Sequence, residues 1–281
     1  MNEVQSFVFE DHGIRGALVR LNETWRHVLA QHAYPPRLEQ LLGRGVAATV
    51  LLANGLKGRP KVSLQLQGDG PVRLLLVQCS SELRVRGMAQ WRPHGDHDDL
   101  LGDGRLAVNL DTGSRHGVFQ GIVPLTGPDL DTCLEGYFDR SEQLPTRLVL
   151  TSTDMQAAGL LLQILPSNDD GLDEFERAAA LAQAVSLSEL KDEAAETLLP
   201  RVFEHFRIRL FKPRSVLHDC RCTPEHLAGI ARMLGAEELG SILKEQGRVE
   251  FNCEFCNRAF RYDEAEVAAI LRGEAPGPVL H

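Results

Sequence analysis

Four cysteines constrain this chain more than any other feature. They fall as Cys220-x-Cys222 and Cys253-x-x-Cys256, with thirty residues between the pairs, in the last quarter of a 281-residue sequence. Two close thiol pairs separated by a compact segment suit one tetrahedral Zn²⁺, with each sulfur about 2.3 Å from the metal. The second pair has the spacing of a zinc-knuckle arm; the single-residue gap of the first is unusual. In a reducing compartment, clustered cysteines are more often metal ligands or redox groups than structural bridges. Residues 218–281 form a small unit, and a domain of about 60 residues is marginal without a metal or a staple. His218 and His226 flank the first pair, and a histidine could stand in for a cysteine. Four cysteines already complete the shell, which leaves His218 on the surface and His226 on a helix face.

The same spacing makes the cluster reactive. Cys222 lies just before an expected helix start, with Thr223 as N-cap and Pro224 in the first turn, and the positive helix end favours a thiolate. A bound metal also holds its cysteine ligands deprotonated, and thiolates are the species that peroxide attacks. Each thiol has a neighbour at hand, so Cys220–Cys222 and Cys253–Cys256 are the natural disulfides. Zinc would tie residue 222 to residue 253. Two short disulfide loops tie nothing distant together and restrict the unfolded chain little. A structural zinc contributes roughly 10–16 kcal/mol, so its loss is expected to unfold 218–281.

The remainder reads as an α+β protein: an N-terminal mixed α/β core domain with antiparallel sheets (1–170), a helical linker (171–217) and the small zinc-binding domain (218–281). Helical spacing runs from Arg37 to Asn54. Alternation in 61–67, 72–77 and 83–88, with a Gly68-Asp69-Gly70-Pro71 turn, predicts an antiparallel meander. Further strands fit 105–110, 118–123, 147–152 and 158–165, and a helix fits 130–140. In the linker, Phe175, Ala178, Ala182 and Val185 recur at helical intervals, and so do Leu199, Val202, Phe203 and Phe206, with Pro200 placed in a first turn. In the last unit a helix runs from Thr223 toward Leu234, breaks near Gly235 and resumes to Lys244. A strand covers 249–251, and a final helix opens at a capping box of Asp263 and Glu266.

Composition excludes several classes. The net charge of −9 disfavours a general nucleic-acid partner. No run approaches a membrane span, and the acidic N-terminus lacks the pattern of a signal peptide, so a cytoplasmic location is expected. A zinc-ribbon nucleic-acid-binding protein would show two CxxC knuckles and basic contacts. A thiol-disulfide oxidoreductase would set its CxxC on a strand-to-helix turn of a βαβ unit. An enzyme in the N-terminal domain is not expected: the Gly-Asp-Gly stretches at 68–70 and 102–104 read as turns rather than phosphate loops. His94, His97 and Asp99, like Ser114, Arg115 and His116, read as solvated loops. Cys79 and Cys133 read as buried core thiols.

The cysteine pattern resembles the hallmark of the redox-regulated holdase chaperones of the 33-kilodalton heat-shock protein family. Stretches along the whole chain are similar too: QLQGDGP at 65–71, YFDRSEQLPTR at 137–147, AAGLLLQILP at 157–166, RLFKP at 209–213 and VEFNCEFCN at 249–257. The resemblance implies a reduced form of low chaperone activity with one Zn²⁺ per chain on Cys220, Cys222, Cys253 and Cys256. It implies that oxidative stress, often with heat, forms the disulfides Cys220–Cys222 and Cys253–Cys256 and releases the metal. The zinc unit and linker then unfold, and the protein holds unfolding client proteins without ATP as a cytoplasmic homodimer. The family commonly has an aromatic or apolar residue where His218 stands, and Ser in place of Thr223.

Overall fold

The computed structural model describes residues 1–56, 58, 60–92, 100–112, 117–125, 129–165, 171–220 and 222–274. The loops holding His94, His97, Asp99, Ser114, Arg115 and His116 lie outside these residues. Two compact units divide the chain, Met1–Asp219 and Cys220–His281.

The first unit is built on one buried helix. It follows strands β1 (Asn2–Phe9) and β2 (Ile14–Leu21) and a short helix α1 (Glu23–Leu29). This second helix, α2 (Pro36–Asn54), starts with Pro36 in its first turn and buries Leu38, Leu42, Val46, Val50 and Leu51. It also buries Gly43, Gly45, Ala47, Ala48 and Ala53, so it is covered nearly all round, as a helix enclosed by sheets must be. A Cβ on Gly43 would lie 1.9 Å from the Ser152 hydroxyl, so the small residue sets how closely the helix meets its sheet.

On one side of α2 lies a sheet in the order β12-β5-β4-β3-β6-β7. Its strands are β3 (Lys61–Gly68), β4 (Val72–Ser80), β5 (Arg84–Trp91), β6 (Gly104–Asp111), β7 (Val118–Pro124) and β12 (Leu217–His218). The meander is antiparallel as expected, and the two-residue β12 adds to β5 in parallel. Alternation in β3 turns Val62, Leu64 and Leu66 inward. The two Gly-Asp-Gly stretches are turns, and they pack against each other: Asp69 N–H donates to Asp103 C=O and Gly70 N–H to Leu101 C=O. Gly102, at φ 61°, occupies the left-handed region that this close approach requires.

On the other side lies a second sheet, ordered β10-β1-β2-β9-β8, with β8 (Thr146–Ser152), β9 (Ala157–Ile164), β10 (Ile208–Leu210) and β11 (Arg214–Ser215). β11 also pairs with β1. Helix α3 (Leu130–Tyr137), capped by the Asp129 side chain, leads through a π-helical turn (Phe138–Glu142) into β8. The central strands β1 and β2 are absent from the sequence reading. All but one residue of β2 is buried, and a strand covered on both faces has no period-two signal to detect.

The outer face of this second sheet carries α4 (Leu172–Gln183), α5 (Leu187–Asp192) and α6 (Ala195–Val202). Phe7, Phe9, Ile14, Leu18, Leu160 and Leu162 meet Phe175, Leu190, Leu199 and Phe203 there in a core of their own. Helix α6 begins at Ala195, four residues before the expected Leu199, so Pro200 sits inside the helix rather than in its first turn. The helix ends two residues later, as a proline without its N–H favours.

The second unit contains α7 (Pro224–Gln246), kinked at Gly235 as expected, a hairpin of β13 (Val249–Asn252) and β14 (Ala259–Tyr262), and α8 (Glu264–Leu271). Leu227, Ala231, Leu239, Val249, Phe260, Tyr262 and Ile270 form its core together with Cys222 and Cys253.

Candidate metal centre

Local sequence brings the four thiols together from two directions. Thr223 caps α7 by accepting the His226 N–H at 3.2 Å, which stops the preceding segment and turns Cys220 and Cys222 toward the hairpin. On the other arm, Cys253 follows β13 and donates its N–H to Arg258 C=O, while Asn257 N–H returns to Cys253 C=O at 2.7 Å. Asn257 closes this knuckle at φ 51°, a conformation asparagine tolerates better than most residues. Tyr262, buried in β14, donates its hydroxyl to Pro224 C=O and so joins the hairpin to the start of α7.

All four sulfurs lie within 4.8 Å of one another. Cys220 is 3.5 Å from both Cys222 and Cys253, and Cys222 is 3.2 Å from Cys256. A tetrahedron of sulfurs at about 2.3 Å from a zinc ion has edges of about 3.8 Å, so the four donors would fit one such ion once their separations adjust by up to about 1 Å. The thiols are free, without a disulfide among them.

Their electrostatics suit a cation. Burial pushes the Cys220 thiol up to about 11, against the Cys222 N–H that stabilises its thiolate. Burial pushes Cys222 up as well, so without a cation that thiol resists ionisation. Cys253 moves the other way. Burial opposes ionisation there too, but N–H groups of Cys256 and Phe255 and the Cys220 and Cys256 thiols outweigh it. Protein groups by themselves pull these thiols in opposite directions; a divalent cation is the charge that would let four thiolates coexist.

The histidines stay outside the cluster. Among the described residues only the four cysteines form a group able to hold a metal. His226 is exposed on the first turn of α7. His218 is half-buried rather than on the surface, because β12 pairs with β5 and sets its ring 6.1 Å from that of His27; burial lowers its pKa. Cys79 and Cys133 are core thiols as expected, and burial pushes Cys79 up to about 12.

Comparison with known proteins follows the same outline. A family model described as Hsp33 protein matches residues 2–263. A protein named 33 kDa chaperonin from Nitrosococcus oceani is 40% identical over 281 residues, covering 99% of this chain and 97% of its own. A 33 kDa chaperonin from Shewanella woodyi is 40% identical over 274 residues, 96% of either chain. The crystal structure of the 33 kDa chaperonin (heat shock protein 33 homolog) from Thermotoga maritima superposes with a TM-score of 0.84 over 97% of this chain and 99% of that one, at 24% identity. That likeness shows the fold. No helix among the described residues is long and apolar enough to cross a membrane.

Proposed function

This chain belongs to the Hsp33 protein family, and from that premise we propose that it is a redox-regulated, ATP-independent holdase that keeps unfolding proteins from aggregating during oxidative and heat stress. The observation that carries the reading is the cluster itself: four free sulfurs within 4.8 Å, each with a sequence neighbour able to become its disulfide partner. A zinc ion held by Cys220, Cys222, Cys253 and Cys256 would supply the positive charge that keeps all four sulfurs ionised and would bind the start of α7 to the hairpin.

The residues then act as follows. A thiolate of one pair attacks peroxide, and the O–O bond breaks to give a sulfenic acid and hydroxide. The neighbouring thiol displaces the second oxygen as water, closing Cys220–Cys222 or Cys253–Cys256. Each pair loses two electrons, and each peroxide ends as one water and one hydroxide, which takes a proton from solvent. The paired sulfurs no longer serve as donors, and the tie between residues 222 and 253 is gone.

The second unit, proposed as the switch domain, is small and has two cysteines in its core, so it is expected to unfold. The chain that leads from the second sheet to it, residues 171–217, is proposed to loosen next. That would bare Phe7, Phe9, Ile14, Leu18, Leu160 and Leu162, an apolar face suited to unfolding clients. We assign the protein no catalytic turnover, a cytoplasmic setting, a homodimeric active form and no nucleic-acid or membrane partner.

The test treats reduced, zinc-loaded protein with peroxide at raised temperature and follows metal release, helical content and client aggregation together. The three should change in concert. Metal release without a gain in aggregation suppression would sink the holdase reading and leave the metal centre standing.

A further inference from the structure

In the first unit a cavity of about 950 Å³ opens between the two sheets at the C-terminal end of α2, near the upper end of the ~300–1,000 Å³ typical of small-molecule sites. Its walls are largely apolar, with Leu52, Leu56, Leu110, Phe138, Leu144 and Leu161 among them. One guanidinium stands in this wall. Arg15, on β2, is held by Gln163 Oε1, which accepts from both its Nε and an Nη. Gln163 is itself buried and fixed from behind, donating to the Thr146 hydroxyl at 2.8 Å, which donates on to Leu144 C=O. A further Nη reaches Gly55 C=O at 3.5 Å, a weak contact. All of these partners are neutral, and no described carboxylate lies within ion-pair distance of Arg15. Glu142, also in the cavity wall, is engaged by the Tyr137 hydroxyl at 2.8 Å.

A half-buried guanidinium bears a desolvation cost, and neutral acceptors offset only part of it. Burial holds Arg15 below its ordinary pKa, yet it remains a cation. Its fork has five N–H groups, and the three contacts above leave two to spare. A carboxylate is the ligand that takes a fork of this kind in two parallel bonds. The largely apolar wall favours a ligand whose remainder is apolar and free of amides. Of the strands that line the cavity, β1, β2, β6 and β9 have a neighbour on both sides and β7 is an edge, so most backbone groups in the strand wall are taken. A peptide inserted there would bury unpaired N–H and C=O groups.

We propose that this cavity is a binding site for an amphipathic carboxylate of the fatty-acid class, its head on Arg15 and its chain along the apolar wall. The site belongs to the first unit and does not depend on the redox reading.

The test titrates full-length reduced protein with a dansyl-labelled undecanoic acid and displaces it with dodecanoate, dodecanol or dodecyltrimethylammonium, all below their micellar concentrations. The expected result is saturable one-to-one binding, with dodecanoate at least about tenfold tighter than dodecanol and the ammonium inactive. Arg15→Gln should abolish the preference for acid over alcohol, and Arg15→Lys should keep part of it. Leu110→Trp should weaken both ligands about fivefold or more by filling the space. Absence of saturable binding, equal affinity for acid and alcohol, or displacement by the ammonium overturns the proposal. Arg15 also meets the end of α2, so Arg15→Gln is read only with an unchanged thermal melt; the comparison of acid with alcohol on the unaltered protein decides without it.

Discussion

At the scale of single residues, two carboxylates do the work of a missing strand. β8 is an edge of its sheet, and its outward N–H groups at Leu148 and Leu150 would otherwise lie open. Glu135 and Asp131, one turn apart on α3, accept them, each at 2.7 Å. Covering an edge in this way removes a template for unwanted strand pairing. The cover has an electrostatic cost at Asp131. Burial raises its pKa from 3.8 to about 6, against the Leu150 N–H and the charge of Arg44, and one of its oxygens has no partner. A raised carboxyl pKa means that the folded state binds the proton more tightly than the unfolded one. Stability from this group is therefore full below about pH 4 and is lost as pH rises through about 6. Asp131→Asn keeps an acceptor for Leu150 and never ionises. Its stability relative to the parent should be greater at pH 7.5 than at pH 4, by roughly 2–3 kcal/mol. Urea midpoints of both proteins at the two pH values measure this; a pH-independent difference would show that Asp131 is solvated in solution. Nothing in the sequence around Asp131 distinguished it from a surface acid, because its partner lies on a strand nineteen residues away. The four cysteines were legible for the opposite reason. A close pair of ligands is short-range information, and only the joining of the two pairs needed the fold.

At the scale of elements, what the sequence revealed depended on how each element is covered. β3, half-buried, alternates and was found; β2, buried on both faces, does not alternate and was missed. Helix α7 shows punctuation at its clearest. Gly235 was expected to break it and does, at φ 85° and ψ 167°, a region essentially reserved for glycine. A Cβ there would meet nothing within 4 Å, so Gly235→Ala would isolate backbone strain from packing. It should cost about 1–3 kcal/mol in the second unit and lower the peroxide concentration at which metal is lost, followed with a chromogenic chelator. An unchanged threshold would separate the switch from the stability of its own unit. The helices over the second sheet permit a matching experiment in the first unit. Phe203 is fully buried, with ring centroids 5.7 Å from Phe7 and 5.1 Å from Phe9. Phe203→Ala should remove about 3–5 kcal/mol from the docking of α6. Faster hydrogen exchange in β1 and β2, with aggregation suppression before any oxidant is added, is the expected outcome. Exchange equal to that of the parent would mean that the helices are held elsewhere.

At the scale of the whole molecule, the two units are stabilised by different means, and so they should fail separately. The first has two apolar cores, one on each face of the β1-β2-β9-β8 sheet, and needs no metal to account for its burial. The second has a single small core in which Cys222 and Cys253 stand among the apolar side chains. A metal bound by four thiolates contributes roughly 10–16 kcal/mol in finger-like peptides, comparable to or above the whole stability of an ordinary domain. Chelation of the reduced protein should thus melt residues 220–274 and leave most of the first unit folded. Oxidation should do the same, because disulfides within each pair close loops too short to restrain the unfolded chain. Hydrogen exchange resolved along the sequence distinguishes the cases. Loss of protection in α7, β13, β14 and α8, with α2 and β3–β6 still protected, is expected under both treatments. Protection lost uniformly would show that the units unfold as one. Protection kept in the second unit after chelation would show that its apolar core suffices, and the cysteines would then be a reactive site on a stable domain rather than its fastening.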